Sequence, residues 1–509
     1  MNYHPYLTND CLIHIFSFFK EDDLIRASSV CKEWQEAAET PWLWREMCLQ
    51  RWGFCNIAVL GSEHGKQAWK SYFLRRSHLE LKMTKGRSGG DYTCKSLRGH
   101  TGRVVGCVYL SGNSLQLPDF WSSTPTVCSS SSDGTVRAWD VQQGVQLWCS
   151  PVQSPLTGMV ADGGHGGVIT SDSTGLLKAW DGQSGQEMSF YSSASPQCTL
   201  LPYSMEGSSF LSVSTQTANH VWLVARSISD LRIIHNIFPF HQVGTSQGSV
   251  HTLTSPSLSK LSTLVVCDTF KVNLLLASPD KKWILAGTTE NMDMSPKVLS
   301  SQSVTCPSEE EDPLCQCLPV SGCSAAAFLP SQTARLATVH CKDNSHSNTH
   351  HNKVLSVFDV VIKKTRFKTE IQVEQVEKFE LVFEGRTSDI LLEGKGSSTL
   401  VVAAHRELKV YTVKGELICS FKDHTEPICS ICVDSFRVVT ASRDLSLRVL
   451  TWKTDRDKGL TLESRYHLLG GSHSMSRGFS YVVCDYSTIV ASVEAVDGKD
   501  VLKAYSFNS

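Results

Sequence analysis

The apolar positions of this chain change their spacing twice. Between about residues 8 and 52 they recur every three or four residues, the interval that lines one face of a helix. DCLIHIFSFFKEDDLIRASSVCKEW (Asp10 to Trp34) and PWLWREMCLQRW (Pro41 to Trp52) together predict three helices. On the second, Ala27, Val30, Cys31, Trp34 and Ala38 form one apolar stripe, and Glu21, Asp22 and Asp23 open it where negative charge suits the helix dipole. The third starts from Thr40 as N-cap with Pro41 in its first turn, and stops near Gly53. Three helices in ~45 residues make a thin core. Ile13, Phe16, Phe19 and Trp42 compete for few interior places, so an apolar surface patch is expected, the usual mark of a partner site. The plainer alternative is that they pack on the element that follows.

Residues 66 to 84 keep the helical interval, with Trp69, Tyr72, Phe73, Arg76 and Leu79 along one side, until Gly86 to Gly90 break it. From about residue 92 the pattern shortens to strands punctuated by Gly, Ser and Asp, at a repeat of ~40–45 residues, the period of propeller blades. The first repeat is the clearest: LRGHTGRVVG (Leu97 to Gly106), then SSSDGTVRAWD (Ser130 to Asp140). A buried His100, a Ser or Thr, the turn residue Asp133 and the Trp139 ring can share one hydrogen-bond chain that locks such a blade. A second repeat ends at Lys178 to Asp181 with Thr174 at the turn, and a third ends near His220 to Val224. Asn273 to Gly287 reads as a core hairpin, and further repeats end at Lys353 to Asp359 and His405 to Tyr411. The stretch from Lys422 to Leu450 is clear again, with Leu450 in place of Trp. The tail from about Leu468 to Phe507 is either an eighth blade or the closing strand of a ring of seven, and seven is the preferred count.

Charge and chemistry narrow the possibilities. Lys plus Arg is 48 and Asp plus Glu is 50 in 509 residues. That balance argues against non-specific nucleic-acid binding and against a polybasic membrane anchor. No run reaches the ~18 apolar residues of a membrane span. Cys11 to Phe19 is interrupted by His14 and Ser17 and lacks a signal peptide's flanks, so the chain is expected to start in its first helix. The 19 scattered cysteines do not read as a disulfide framework, and reduced thiols in cytosol or nucleus are expected. The His-rich segment His340 to His351 and the acidic run Glu309 to Asp312 beside Cys306, Cys315, Cys317 and Cys323 read as solvated loops. Neither offers the spacing of a zinc site, so no metal and no cofactor is expected. No G-x-S-x-G elbow, phosphate loop or H-E-x-x-H is present. The inner strands of the clear repeats are apolar (Val104, Val105, Val108; Ile428, Ile431, Val433), which speaks against a catalytic site in a central channel.

Residues 7 to 50, through LIHIFSF, DLIRASSVCKEW and LWREMC, resemble the F-box motif, and the remainder resembles a WD-repeat propeller. The combination resembles the F-box/WD-repeat family of substrate receptors in Skp–Cullin–F-box ubiquitin ligases. Leu7-Thr8 departs from that family's Leu-Pro. Members that dimerise carry an extra helical segment before the F-box, for which no room is expected here, so the resemblance does not imply self-association. The resemblance implies an α plus all-β architecture: an F-box at 1–54, a helical linker at 55–91 and a WD-repeat β-propeller at 92–509. It implies a Skp adaptor and a cullin core as partners, with adaptor contacts at Leu7, Leu12, Ile15, Phe16, Leu24, Val30, Cys31, Trp34, Leu43 and Trp44. The internal helical core is an equally good reading of Val30, Cys31 and Trp34. A protein substrate would lie on the ring face that carries the loops into the innermost strands, where Arg103, His405, Arg406 and Arg443 are the candidates. Receptors that read phosphodegrons carry Arg just past the Gly-His motif, where this chain has Val105 and Cys429, so solvated surface charge is preferred over a phosphate pocket. A receptor of the other cullin class would want Arg two residues after the Trp-Asp pair, where Gln142 and Gln183 stand. The expected function is therefore that of a non-catalytic ligase adaptor, without nucleic acid or membrane among its partners. The alternative is a WD-repeat interaction scaffold that does not engage a ligase.

Overall fold

The computed structural model describes residues 7–52, 68–85, 89–110, 125–162, 166–193, 195, 198–205, 208–217, 247–255, 260–267, 270–291, 293–306, 313–329, 334–341, 353–364, 369–384, 389–434, 436–455, 459–471 and 475–507. The third-repeat terminus at His220 to Val224, most of the His-rich segment and the acidic run lie outside these residues.

The amino-terminal unit has four helices up to Trp52: α1 (Asn9–Phe16), α2 (Glu21–Ala27), α3 (Lys32–Ala38) and α4 (Pro41–Trp52). The stripe read as one helix from Ala27 to Ala38 is thus broken in its middle. Ser28 Oγ donates to the Ile25 carbonyl at 2.7 Å, and the N–H groups of Ser29 and Val30 bond three residues back. Serine hydroxyls that bond the preceding turn compete with helix propagation. Cys31 is then extended and serves as the N-cap residue of α3. The break turns Val30 and Cys31 out to solvent while Ala27, Ala37 and Ala38 stay inside. The interior of this unit is Leu12, Phe16, Leu24, Leu43, Trp44 and Cys48, with Trp44 Nε1 donating to the Ala38 carbonyl at 2.8 Å. Phe16, expected at the surface, is buried, with its ring against Phe19 and Trp34. Trp42 is exposed.

Beyond it, α5 (Ala68–Lys85) places Tyr72, Phe73, Arg76, Leu79 and Met83 on its buried side, the face predicted from spacing. The ring that follows has eight four-stranded antiparallel sheets among the described residues, the larger of the two counts left open by the sequence. The first seven span 104–149, 156–192, 200–267, 274–317, 325–381, 390–421 and 428–469. The eighth takes three strands from 476–506 and its outermost strand from Thr93–Leu97, which pairs antiparallel with Val501–Ser506. The tail is therefore a blade, and the closing strand comes from the other end of the chain. Each blade junction holds its own apolar cluster. At the junction of blades seven and eight that cluster is continuous with the interior of the helical unit. The ring and the helices thus share one core there, through Phe73, Leu79 and Met83 on one side and Tyr466, Phe479 and Tyr486 on the other.

Candidate functional site

Two surfaces offer themselves: the outer edge of the helical unit, and the face of the ring that carries the turns between second and third strands.

On the helical edge, Ile15 is 40% exposed, Phe18 77%, Val30 62% and Trp42 51%; Leu7 and Ile25 are open as well. An apolar set of this size on so small a unit asks for a cover. The ten candidates for the adaptor divide by burial. Leu7, Ile15, Val30 and Cys31 face solvent, Trp34 is half-buried, and Leu12, Phe16, Leu24, Leu43 and Trp44 form the interior. Phe18, Ile25 and Trp42 belong to the exposed set and were not among the ten; Phe18 lies in the turn after α1, and Ile25 and Trp42 stand next to buried Leu24 and Leu43 on their helices.

The ring face is shaped by turns that the sequence chemistry dictates. In blade one, His100 Nε2 lies 2.8 Å from Ser129 Oγ, which also accepts from Trp139 Nε1 at 2.8 Å. His100 Nδ1 lies 3.1 Å from Asp133 Oδ2, and that carboxylate accepts from the Thr101 N–H at 2.8 Å. Blade seven repeats the chain with His424, Thr440 and Asp444. In blade two, Asp172 supplies the turn in place of the missing residue at Thr174, accepting from the N–H groups of Thr174 and Leu176. Burial holds the His100 imidazole below its usual pKa against the pull of Asp133. Asp133 itself is lowered to about 2: burial opposes this, and the hydrogen bonds from Thr135 and Thr101 outweigh it. These are locking groups with full sets of partners, which fits structure rather than chemistry.

Locked turns fix what stands on them. Arg103 enters the first blade, Arg443 sits in the turn of blade seven, and both pair with Glu494 of blade eight, Arg103 at 3.4 Å. Arg406, in the turn of blade six, pairs with Glu426 at 3.6 Å. His405 beside it has a positive φ of 51°, and its carbonyl accepts from Ile428 N–H at 2.7 Å. The four candidates therefore lie on one face, and Arg103 and Arg443 meet there.

A fifth cation was missed. The innermost strands of blades one, two, seven and eight each carry a register shift after their first residue, so that one extra residue is left without a partner. The extra residues are Val105, Thr157, Cys429 and Arg477. Arg477 is exposed and close enough for its charge to act on Glu494. Burial would raise the Glu494 carboxyl; the Arg443 hydrogen bond and the charges of Arg443, Arg103 and Arg477 bring it below its usual value. The available signal was the glycine that follows the extra residue: Gly106, Gly158 and Gly478. At Gly478 the backbone has φ +122° and a Cβ would lie 2.4 Å from Arg443 Cα, so only glycine fits.

Among the described residues no group of three or more His, Cys, Asp or Glu converges to hold a metal, and no helix is long and apolar enough to cross a membrane. Cys306, Cys315 and Cys317 are exposed and Cys323 is buried. His340 is buried, with Nε2 2.9 Å from Ser356 Oγ.

Known proteins share both parts of this arrangement. Residues 9–50 match the F-box-like family model, and residues 92–140 match the model of the WD domain, G-beta repeat. Over 98% of its length, and 98% of the relative's, the chain is 29% identical to human F-box/WD repeat-containing protein 12. It is 23% identical to mouse F-box/WD repeat-containing protein 15, covering 98% of this chain and 97% of that one. Along nearly its whole length the chain is thus similar to F-box/WD repeat-containing proteins, with an F-box-like segment ahead of a WD repeat. The F-box-like match covers α1 through most of α4, and the WD match runs from the closing strand to the end of the third strand of blade one. The crystal structure of the computationally designed Ika8 protein superposes with a TM-score of 0.51 at 16% identity, covering 80% of this chain and 98% of that one. At that identity the likeness speaks for the fold alone.

Proposed function

We propose that this chain is the substrate-recognition subunit of an SCF-type ubiquitin ligase. Its F-box helices grip the Skp adaptor of the cullin core, and its ring holds a target protein. The chain makes and breaks no bonds. The observation that carries this reading is the apolar edge of the helical unit, Leu7, Ile15, Phe18, Val30 and Trp42, left uncovered on a unit that shares its core with the ring. Helices that lay an apolar face into a partner's groove are a recurrent mode of recognition.

In this reading Leu7, Ile15, Val30, Cys31 and Trp34 touch the adaptor. Leu12, Phe16, Leu24, Leu43 and Trp44 hold the shape that presents them. The ligase acts by proximity. A target fixed on the ring sits at high effective concentration beside the charged enzyme, and a rigid connection keeps that concentration from being diluted by motion.

The test is a pull-down of the full chain with purified Skp adaptor. The wild type is retained, and Ile15→Asp with Val30→Asp is lost while its melting temperature stays within a degree or two. Failure of the wild type to bind favours the scaffold reading instead.

A further inference from the structure

Resting on the receptor reading, one corner of the ring face is where we look for the target, because charge and apolar surface meet there. Arg103, Arg443 and Arg477 surround Glu494 at the junction of blades seven, eight and one. Beside them, the Val496 N–H donates to the Met475 carbonyl at 3.2 Å, so two exposed apolar side chains stand together at the rim. Leu469, also exposed, ends the outer strand of blade seven just before the chain crosses to Met475. Elsewhere on this face Arg406 pairs with exposed Glu426, beside the Lys409–Glu407–Lys422 ion pairs.

We propose that this junction binds an unmodified acidic segment of the target, one Asp or Glu side chain placed on Arg477 and Arg103 with an apolar neighbour on Met475 and Val496. Charge complementarity selects the occupant. Three guanidinium groups face the single carboxylate of Glu494, and buried Asp500 lies nearby, accepting from the Val104 and Ala495 N–H groups. The positive excess is therefore small. It matches the one negative charge of a carboxylate. A phosphate would bring about two charges against two resident carboxylates, and repulsion offsets what the arginines supply. Glu494 also shows that a carboxylate fits between these guanidinium groups, so an incoming one exchanges with it on Arg103 while Arg443 keeps its partner. The apolar rim adds contact area that a purely electrostatic site lacks.

The test uses the full chain, alone and mixed with purified Skp adaptor. A displayed random peptide library is selected on the wild type, and the enriched peptides are synthesised with a fluorescent label for polarisation measurements. The expected consensus is Asp or Glu within two or three residues of Leu, Ile, Met or Phe. Binding should fall about tenfold or more with Arg477→Ala, the loss of one charged hydrogen bond, and several-fold with Met475→Ser. Lys364→Ala, at an exposed position of blade five, should leave it unchanged. Glu494→Gln should strengthen it by freeing Arg103. No enriched peptide, a consensus without acidic residues, indifference to Arg477→Ala, or clearly tighter binding by phosphoserine versions of the same peptides overturns the proposal. Adaptor retention measured on the same samples keeps the two readings apart: an adaptor-competent chain without peptide binding removes only the patch, and a chain that binds peptide but not adaptor removes only the receptor role.

Discussion

Arg76 of α5 donates from Nε to the hydroxyl of Tyr486 in blade eight at 3.1 Å, with its guanidinium carbon 4.7 Å from the centre of the same ring. Its Nη1 donates to Tyr72 at 3.0 Å, and Tyr486 in turn donates to Glu80 at 2.6 Å. The hydroxyl of Tyr466 reaches the Lys82 carbonyl at 2.6 Å one turn further along. A charge buried this completely persists only because every side of it is satisfied. The pair therefore fixes how the helical unit sits on the ring and, in the receptor reading, the distance from adaptor to target.

Arg76→Ala is expected to cost about 2–4 kcal/mol, because it leaves the hydroxyls of Tyr72 and Tyr486 short of a donor in a closed space. Hydrogen exchange locates the effect. The amides of α5 lose protection while those of the strands in blades four and five keep theirs. Arg76→Lys should restore little, since an ammonium cannot both stack on Tyr486 and bond two hydroxyls. Uniform loss of protection around the ring would contradict this picture.

On the F-box unit, buried and exposed candidates should separate by readout. Phe16→Ala removes a ring packed on Phe19 and Trp34 and should cost about 3–5 kcal/mol. Its effect on adaptor binding should follow the fraction unfolded. Ile15→Asp and Val30→Asp should leave stability within about 0.5 kcal/mol and abolish adaptor binding. Chemical denaturation and adaptor titration on the same samples check both. If Val30→Asp binds the adaptor normally, the grip lies elsewhere on the edge.

The sequence carried some of this structure and hid some of it, for physical reasons. Blade one was legible because His100, Asp133 and Trp139 are side chains chosen by a buried hydrogen-bond chain, which few other residues can form. Blade eight was ambiguous because no such chain runs through its described residues; Asp485, Asp500 and the hydroxyls of its turns bond its backbone there. The broken helix at Ser28 was hidden because apolar spacing survives across the break. Only the two consecutive serines, which bond the preceding turn, betray it. Arg477 was hidden because the residue that matters stands out of register, and an inserted residue shifts the two-residue alternation that pattern reading relies on.

The blade-one chain should behave as a unit. His100→Ala and Ser129→Ala each remove one link from a buried series, at about 1–3 kcal/mol. The double variant should cost less than the sum of the two, because the second loss meets a chain already broken. A thermodynamic cycle from urea unfolding measures the coupling, and strict additivity would show the links to be independent. Blade seven offers the control, since Leu450 stands where Trp139 does and the chain there ends at Thr440.

Asp485 predicts an unusual pH dependence. Burial raises its carboxyl to about 6, against hydrogen bonds from the Thr488 hydroxyl and the Ser487 and Thr488 N–H groups and the charge of Arg437. All three of those bonds go to Oδ1; Oδ2 is closed to solvent and has no hydrogen-bond partner. In the unfolded chain the group titrates near 3.9. Below that value both states hold the proton and the group's contribution is fully present. As pH rises from about 4 to about 6 the unfolded state releases its proton first, so stability is lost across that window and the loss is complete above it. Asp485→Asn keeps an oxygen for the same three donors and does not titrate. Its melting temperature relative to wild type should therefore climb between pH 4 and pH 6 and level off by about pH 7. A difference that stays flat, or that falls as pH rises, would mean that Asp485 is ionised in the fold at little cost and that Arg437 compensates it fully.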